Sequence, residues 1–163
     1  MKEISKIKVK NILEEDFTDY KKPAMLVGFP SCSFKCEKDA GLKMCQNEPL
    51  TKSPTIEISI SDLFKRYVAN SFTEAIVCAG LEPLDSFDEL YGLVKYFREN
   101  NCFDDFVIYT GYCPEEVFDK IGKLGEFKNI IVKFGRFIPN DESKFDDVLG
   151  ITLASKNQYA IEL

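Results

Sequence analysis

Three cysteines with close spacing are the residues of this chain best suited to chemistry. Cys32 and Cys36 are separated by three residues, and eight residues lie between Cys36 and Cys45. Structural zinc normally takes four cysteine or histidine ligands, whereas iron–sulfur clusters are held by cysteine thiolates, and three thiolates would leave one iron open to a ligand. The spacing leaves three hypotheses open: an iron–sulfur cluster, a structural zinc ion and unmetallated thiols.

The chain contains no histidine, which removes most hydrolytic chemistry. Cysteine–histidine nucleophile pairs, serine–histidine–aspartate triads and histidine-ligated zinc all require that side chain. Three further cysteines are scattered along the sequence. We expect Cys78 and Cys102 to be small, inert apolar residues. Cys113 stands just before Pro114, and a redox role for it remains open.

Composition predicts one globular domain over residues 1–163, because 45% of the residues are hydrophobic and 29% are charged. The formal charge of −6 disfavours a nucleic-acid partner, since an acidic surface repels phosphate. No run of about 18 apolar residues is present, so no membrane partner is expected. The first residues lack the pattern of a secretory signal, and we expect the protein in the cytoplasm, where its cysteines stay reduced.

Apolar runs separated by amphipathic segments predict the elements that position the cysteines. Strands are predicted at residues 4–12, 24–29, 75–78, 106–109 and 129–132. Helices are predicted after a cap at Ser61, after a capping box formed by Ser86 and Glu89, and from Pro114 to a stop near residues 122–125. The second of these helices should bury the face formed by Leu90, Leu93, Val94 and Phe97.

Strands that alternate with helices indicate an α/β fold with a parallel sheet, either open or part of a barrel. A complete eight-fold barrel needs about 200 residues or more, so this chain is too short for one. Ligands bind at the carboxyl ends of parallel strands. The cysteine segment and the turns at residues 78–83 and 109–111 follow predicted strands, so we expect them to meet at one edge.

Several segments, taken in order, resemble the radical S-adenosylmethionine (SAM) superfamily, and within it the activating proteins of anaerobic ribonucleoside-triphosphate reductase, which are glycyl-radical enzyme activases. Residues 29–36 resemble the segment that leads into the cluster, and Cys45 with Asn47 resembles the third cysteine and the asparagine that follows it. The remaining similar segments are the turn at residues 78–84, the strand end at residues 109–112, and residues 135–137 and 155–158.

The resemblance implies a half TIM-type barrel with helices outside, and a [4Fe-4S] cluster bound by Cys32, Cys36 and Cys45. It also implies reductive cleavage of SAM to a 5′-deoxyadenosyl radical, a glycyl-radical enzyme as partner, such as anaerobic ribonucleotide reductase, and flavodoxin or ferredoxin as electron donor. The residues it assigns to cofactor binding are Phe34, Asn47, Ala79, Gly80, Leu81, Glu82, Pro83, Thr110, Gly111 and Asn157. Glu82 is the expected acceptor for the SAM ammonium group.

The sequence departs from the family pattern at several places. Eight residues precede Cys45 where two are usual, Ala79 replaces the first glycine of the turn, and Phe134 stands where an acidic residue is common. Residues 19–23 replace a glycine-rich approach to the first strand. Three alternatives therefore stay open: radical chemistry on a small molecule or peptide, an electron-transfer or sensing module without SAM turnover, and a zinc-stabilised interaction domain.

Overall fold

The computed structural model describes residues 3–31 and 52–163. The strands are β1 (Lys6–Val9), β2 (Asn11–Asp16), β3 (Ala24–Phe29), β4 (Ile56–Ser59), β5 (Ala75–Gly80), β6 (Asp105–Tyr109), β7 (Ile130–Phe134), β8 (Lys144–Asp146), β9 (Ile151–Leu153) and β10 (Tyr159–Glu162). The α-helices are α1 (Ile60–Ala69), α2 (Phe87–Glu99) and α3 (Phe118–Leu124). Short 3₁₀ helices span Pro83–Ser86 and Pro114–Glu116.

A mostly parallel sheet of six strands forms the centre of the described structure. Its strand order is β10-β7-β6-β5-β3-β2. The four inner strands run parallel in chain order, while β2 and β10 add antiparallel edges. The predicted α/β fold with a parallel sheet is confirmed. Parallel neighbours in chain order bring successive strand-end turns to the same edge.

One face of the sheet, the helix face, carries the larger hydrophobic core. Successive side chains of a strand point to opposite faces, and alternate residues of the inner strands pack here against the helices. The apolar stripe predicted for α2 is confirmed, because Leu90, Leu93, Val94 and Phe97 are all buried in this core. Edge-to-face ring contacts join Phe97 to Phe64 of α1 and to Phe106 of β6. Aromatic packing thus fixes two helices to the sheet.

The opposite face of the sheet, the hairpin face, is covered by much smaller elements. Strands β8 and β9 pair as a two-stranded hairpin, and Leu149 and Leu153 from this region are buried with Val77 and Val107 of the sheet. Tyr20, from the β2–β3 loop, joins the same cluster. The sequence did not predict this covering layer, because three-residue strands show too little alternation to be recognised.

The strand predicted at residues 4–12 is extended as expected but forms two strands, because the chain changes sheet at Lys10. Strand β1 pairs with β4, whereas β2 pairs with β3 in the central sheet. The Lys10 N–H donates to the Gly28 carbonyl at 2.7 Å, which marks the point of transfer. An apolar pattern shows that residues are extended but does not show which partner each half pairs with.

Two predicted helix caps also differ from the structure. Helix α1 is capped by Ser59, whose hydroxyl accepts from the Asp62 N–H at 3.1 Å, so Ser61 lies inside the first turn. Ser86 precedes α2 but makes no side-chain cap hydrogen bond. The Glu89 carboxylate instead accepts from the Lys8 N–H at 3.1 Å, because tertiary contact with β1 replaces the local capping box.

Gly80 ends β5 in a conformation that a side chain would disturb. Its φ is +88°, in the region that L-residues avoid. A Cβ at this position would lie 2.6 Å from the Phe29 nitrogen and 2.7 Å from the Gly28 Cα, both of which are backbone atoms. Backbone cannot move aside as a flexible side chain can, so glycine is required for β5 to approach β3 at this point.

The first prediction concerns this close approach. Gly80→Ala should lower the free energy of unfolding by about 3 kcal/mol, since it adds a positive-φ penalty to a backbone clash. Gly122→Ala is the matched control, because nothing lies within 4 Å of a Cβ there and the site is helical. It should stabilise the protein by about 0.5–1 kcal/mol. Urea denaturation of both variants checks this, and equal midpoints would contradict it.

Candidate functional site

The ends of β3 and β5 are fastened side by side at the carboxyl edge of the sheet. The Leu81 N–H donates to the Phe29 carbonyl at 3.1 Å, and the Glu82 N–H donates to the Ser31 carbonyl at 2.8 Å. These bonds extend the β3–β5 ladder beyond the last strand pair, Phe29 with Gly80. Ser31 directly precedes Cys32 in the sequence. The turn at residues 80–83 therefore lies against the chain that enters the cysteine segment.

The predicted cluster ligands themselves lie outside the described residues. Cys32, Cys36 and Cys45 all fall between positions 31 and 52, as do Phe34 and Asn47, so their assignments stay predictions. Within residues 3–31 and 52–163, no group of three or more cysteine, aspartate or glutamate side chains could hold a metal ion.

The scattered cysteines occupy separate parts of the described structure. Cys78 is fully buried on the helix face, and burial raises the pKa of its thiol well above the ordinary range. Cys102 follows α2, and burial likewise raises its thiol pKa. Cys113 precedes the second 3₁₀ helix, where its backbone N–H donates to Glu116 at 2.9 Å. A raised thiol pKa lowers the thiolate fraction, so Cys78 and Cys102 are poorly suited to ligand or nucleophile chemistry.

Glu82 is the most buried carboxylate of this edge, with 5% of its surface exposed. Its Oε1 accepts from the Leu84 N–H at 3.1 Å, which caps the first 3₁₀ helix, and its Oε2 accepts from the Gly111 N–H at 2.9 Å. Desolvation raises the pKa of Glu82 to about 7, against the lowering effect of its hydrogen bonds to Gly111, Leu84 and Thr110. One side chain thus joins the turn after β5 to the turn after β6.

The turn after β6 is held by several bonds of its own. Thr110 is 2% exposed, and its N–H donates to the Lys133 carbonyl at 2.9 Å. The Thr110 hydroxyl accepts from the Tyr112 N–H at 3.0 Å. The Tyr112 hydroxyl donates to Asp85 Oδ1 at 2.6 Å, which makes a second link to the turn after β5. Thr110 and Gly111 therefore lie beside Glu82, as the parallel sheet predicted.

Asn157 lies at the same edge but is bonded to the turn after β7. Its Nδ2 donates to the Arg136 carbonyl at 2.8 Å, and its Oδ1 accepts from the Ser155 hydroxyl at 2.6 Å. Gly135 has φ +105°, and a Cβ there would lie 3.2 Å from Asn157. Gln158 is buried beside it and donates to the Gly135 carbonyl at 3.4 Å. Residues 155–158 thus support the β7 turn.

Hydrogen bonds between turns connect the whole edge. The Gly135 N–H donates to the Tyr112 carbonyl at 3.1 Å, and Arg136 pairs with Glu116 at 2.5 Å. Sequence reasoning did not select Asp85, Tyr112 or Glu116, because their partners lie 20 to 27 positions away. The sequence did contain a signal for these three residues, because each is a polar residue that follows the end of a predicted strand.

The structure brings the described candidates of the site to one edge of the sheet. The turn of Ala79, Gly80, Leu81, Glu82 and Pro83 meets Thr110 and Gly111, while Asn157 reaches the same edge through β10, which pairs with β7. Contact with a cofactor stays a prediction for all of them. In the described part of the chain, no helix has the length and apolarity to cross a membrane.

The second prediction uses the raised pKa of Glu82. Between about pH 4.5 and pH 7 the folded chain keeps a proton that the unfolded chain has released, so stability falls as the pH rises. Relative to Glu82→Gln, the wild type should lose roughly 3 kcal/mol of unfolding free energy across that window. The wild type and Glu82→Gln are compared by denaturation at several pH values.

Exposed Glu115 on the neighbouring turn provides the control. The unfolding free energy of Glu115→Gln should fall with rising pH as that of the wild type does, because this variant still contains Glu82. Parallel stability profiles for the wild type and Glu82→Gln would show that Glu82 titrates alike in the folded and unfolded chains, and would contradict the prediction.

Comparison with known proteins identifies the family of this chain. The model of the 4Fe-4S single cluster domain matches residues 24–159. That range begins at the first residue of β3 and ends at the first residue of β10, so it includes the three closely spaced cysteines and the three turns. No curated protein matches the chain. Since the family model matches most of the 163 residues, the chain belongs to the family of 4Fe-4S single cluster domains.

Proposed function

We propose that this iron–sulfur domain is a radical SAM enzyme whose [4Fe-4S] cluster is bound by Cys32, Cys36 and Cys45. The observation that carries the proposal is the pairing of the turn at residues 80–83 with the β3 end that leads into Cys32. A cofactor held at that turn would lie close to Ser31, which directly precedes Cys32 in the sequence. The same edge is where parallel sheets bind ligands.

The donor set fits an iron–sulfur cluster better than zinc. The chain lacks histidine, and the described cysteines 78, 102 and 113 do not come together. A fourth thiolate for zinc would therefore have to come from Cys78, which is sealed in the core, or from Cys102 or Cys113. Three thiolates suffice for a cluster that keeps one iron open to SAM. The family match supports the cluster, and SAM remains our proposal.

The turn at residues 80–83 has features suited to the amino acid end of SAM. Gly80 carries no side chain, and the β3 backbone fills the space that one would occupy, so the turn is held close to the end of β3. Glu82 is fixed by Leu84 and Gly111, and a carboxylate retains acceptor capacity beyond two hydrogen bonds. An ammonium group at this turn would stabilise the ionised carboxylate, which burial otherwise disfavours. We assign Glu82 to this role.

The sheet topology supports the half TIM-type barrel that we propose for the fold. Four parallel strands follow one another in chain order, and the helices pack on one face. A [4Fe-4S] cluster held by Cys32, Cys36 and Cys45 would pass one electron from the external donor to SAM, which would cleave it to methionine and a 5′-deoxyadenosyl radical. The part of the chain's own residues is to hold SAM in one orientation and exclude water, for which buried Thr110 and Leu84 are suited.

The partner we propose is a glycyl-radical enzyme, such as anaerobic ribonucleotide reductase, with flavodoxin or ferredoxin as the electron donor. The resemblance of the turn and cysteine segments to the activating proteins supports this choice. Because β8 and β9 cover the hairpin face in the described structure, a polypeptide loop of the partner would have to reach the site from the carboxyl edge of the sheet. The acidic net charge of −6 gives no reason to expect nucleic acid.

The third prediction tests the cluster. Anaerobic reconstitution of the wild type should give about four irons and four sulfides per chain, with broad brown absorbance. Cys32→Ala should lose most of both. Cys102→Ala is the control, since Cys102 follows α2 at the amino edge of the sheet and should leave the iron content unchanged. A colourless wild type with one zinc per chain would overturn the cluster assignment.

The fourth prediction tests SAM turnover and the partner. With dithionite and SAM, the reconstituted wild type should release 5′-deoxyadenosine, and Cys32→Ala should release none. Incubation with an anaerobic ribonucleotide reductase should then produce a glycyl radical, detected by electron paramagnetic resonance. An intact cluster without 5′-deoxyadenosine would favour an electron-transfer module. Release of 5′-deoxyadenosine without a glycyl radical would keep the chemistry and reject this partner.

A further inference from the structure

An acidic pair lies where β2 ends and the β2–β3 loop, residues 17–23, begins, on the hairpin face and away from the proposed cofactor site. Asp16 ends β2 and is only 8% exposed, while Asp19 is half-buried in the loop. The Thr18 hydroxyl lies 3.0 Å from Asp16 Oδ1 and 3.5 Å from Asp19 Oδ2, so both carboxyl groups lie against one hydroxyl group. Like charges this close cannot both remain ionised without a large energetic cost.

Asp16 has one oxygen that is supplied with donors and one that is not. Its Oδ1 accepts from the Thr18 hydroxyl at 3.0 Å and from the Thr18 N–H at 3.4 Å. Its Oδ2 is buried, and no donor group in the described part of the chain contacts it. A buried carboxylate oxygen without a donor is costly. Asp19 is the neighbouring group that can supply one, provided that its carboxyl is protonated.

We propose that Asp16 and Asp19 share one proton and form a proton-dependent latch that holds the β2–β3 loop against the hairpin face. In the closed latch the protonated Asp19 carboxyl donates to Asp16 Oδ2. Loss of that proton to solvent breaks the O–H bond and leaves two adjacent carboxylates that repel each other. The step requires no reactant other than water or a buffer base.

One neighbouring group favours the ionised form of Asp19, because the Thr18 hydroxyl donates to its Oδ2 at 3.5 Å, but burial and the proximity of Asp16 outweigh this bond. The Tyr109 hydroxyl of β6 donates to the Asp19 carbonyl at 2.5 Å, and Lys133 of β7 lies over the Tyr109 ring with its ammonium bonded to the Gly135 carbonyl. Asp146 of β8 adds a further negative charge on this face. Burial, followed by the contact with Asp16, raises the pKa of Asp19 to about 7.

The other charged groups near the pair contact residues other than Asp16 and Asp19. Asp146 accepts from the Leu149 N–H at 2.9 Å and from the Ala160 N–H at 3.0 Å. Within the loop, the Lys21 ammonium lies over the Tyr20 ring, and the Lys22 ammonium pairs with Asp105 at 2.9 Å. In the described residues, therefore, no cation lies against Asp16 Oδ2 to replace the proton.

The latch connects the loop to the covering hairpin. The Lys21 N–H donates to the Leu149 carbonyl at 2.8 Å, and a Cβ on Gly150 would lie only 2.7 Å from the Lys21 Cβ. Residues 17–21 therefore hold the tip that joins β8 and β9. Repulsion between Asp16 and Asp19 would loosen these contacts and expose Val77 and Val107 beneath. Access to the hairpin face would then increase as the pH rises through 7.

Amide hydrogen exchange of the full chain tests the latch at pH 6 and pH 8.5, with rates corrected for intrinsic exchange. In the wild type, protection of residues 17–23 and 149–153 should fall by roughly tenfold or more at pH 8.5. Asp19→Asn should keep its protection at both pH values, since the carboxamide donates to Asp16 without titrating. Asp147→Asn is the control on the exposed side of the hairpin, and it should behave as the wild type.

Two results would overturn the proposal. Protection that is equal at both pH values in the wild type, together with carboxyl carbon resonances of Asp16 and Asp19 that both titrate near pH 4, would show two ordinary carboxylates. Protection restored at pH 8.5 by added calcium would show a cation in place of the proton. The test does not involve the cluster, so the proposed radical chemistry can fail or succeed independently.

Discussion

The close backbone contact between the ends of β3 and β5 is the constraint on which the carboxyl edge depends. Gly80 admits this contact because it has no side chain, and the Leu81 and Glu82 N–H groups then bond to the Phe29 and Ser31 carbonyls. The direction of the chain entering the cysteine segment is fixed by these bonds. An alanine at position 80 would separate the strand ends, and the turn would then no longer lie against Ser31, which directly precedes Cys32 in the sequence.

Glu82 connects the turn after β6 to the strand ends of β3 and β5. Its carboxylate bonds to Gly111 after β6, and Tyr112 from that turn bonds to both Asp85 and the Gly135 N–H. Every link joins different strands, so the edge is rigid although the turns themselves have little regular structure. Rigid turns are what a site needs in order to hold a flexible cofactor in one reactive orientation.

The sequence predicted the parts of the fold that depend on local pattern. Buried strands and the apolar stripe of α2 followed from periodicity, and the convergence of the turns followed from the parallel sheet. The β8–β9 hairpin could not be predicted, because its strands are too short to show alternation. The burial of Asp16 and Asp19 could not be predicted either, because it depends on packing against distant residues such as Tyr109. Ser86 and Glu89 show the same limit, since a capping-box pattern was overridden when Lys8 bonded to Glu89.

A buried carboxylate at Glu82 is costly to the folded chain, since burial disfavours its charge more than the backbone hydrogen bonds favour it. If Glu82 only capped the 3₁₀ helix, a serine or an asparagine could do so at a lower desolvation cost. A cationic ligand changes this balance, because an ammonium group beside Glu82 would offset the desolvation and favour ionisation. The energetic penalty of this buried carboxylate therefore supports the proposed role of Glu82 as the acceptor of an ammonium group.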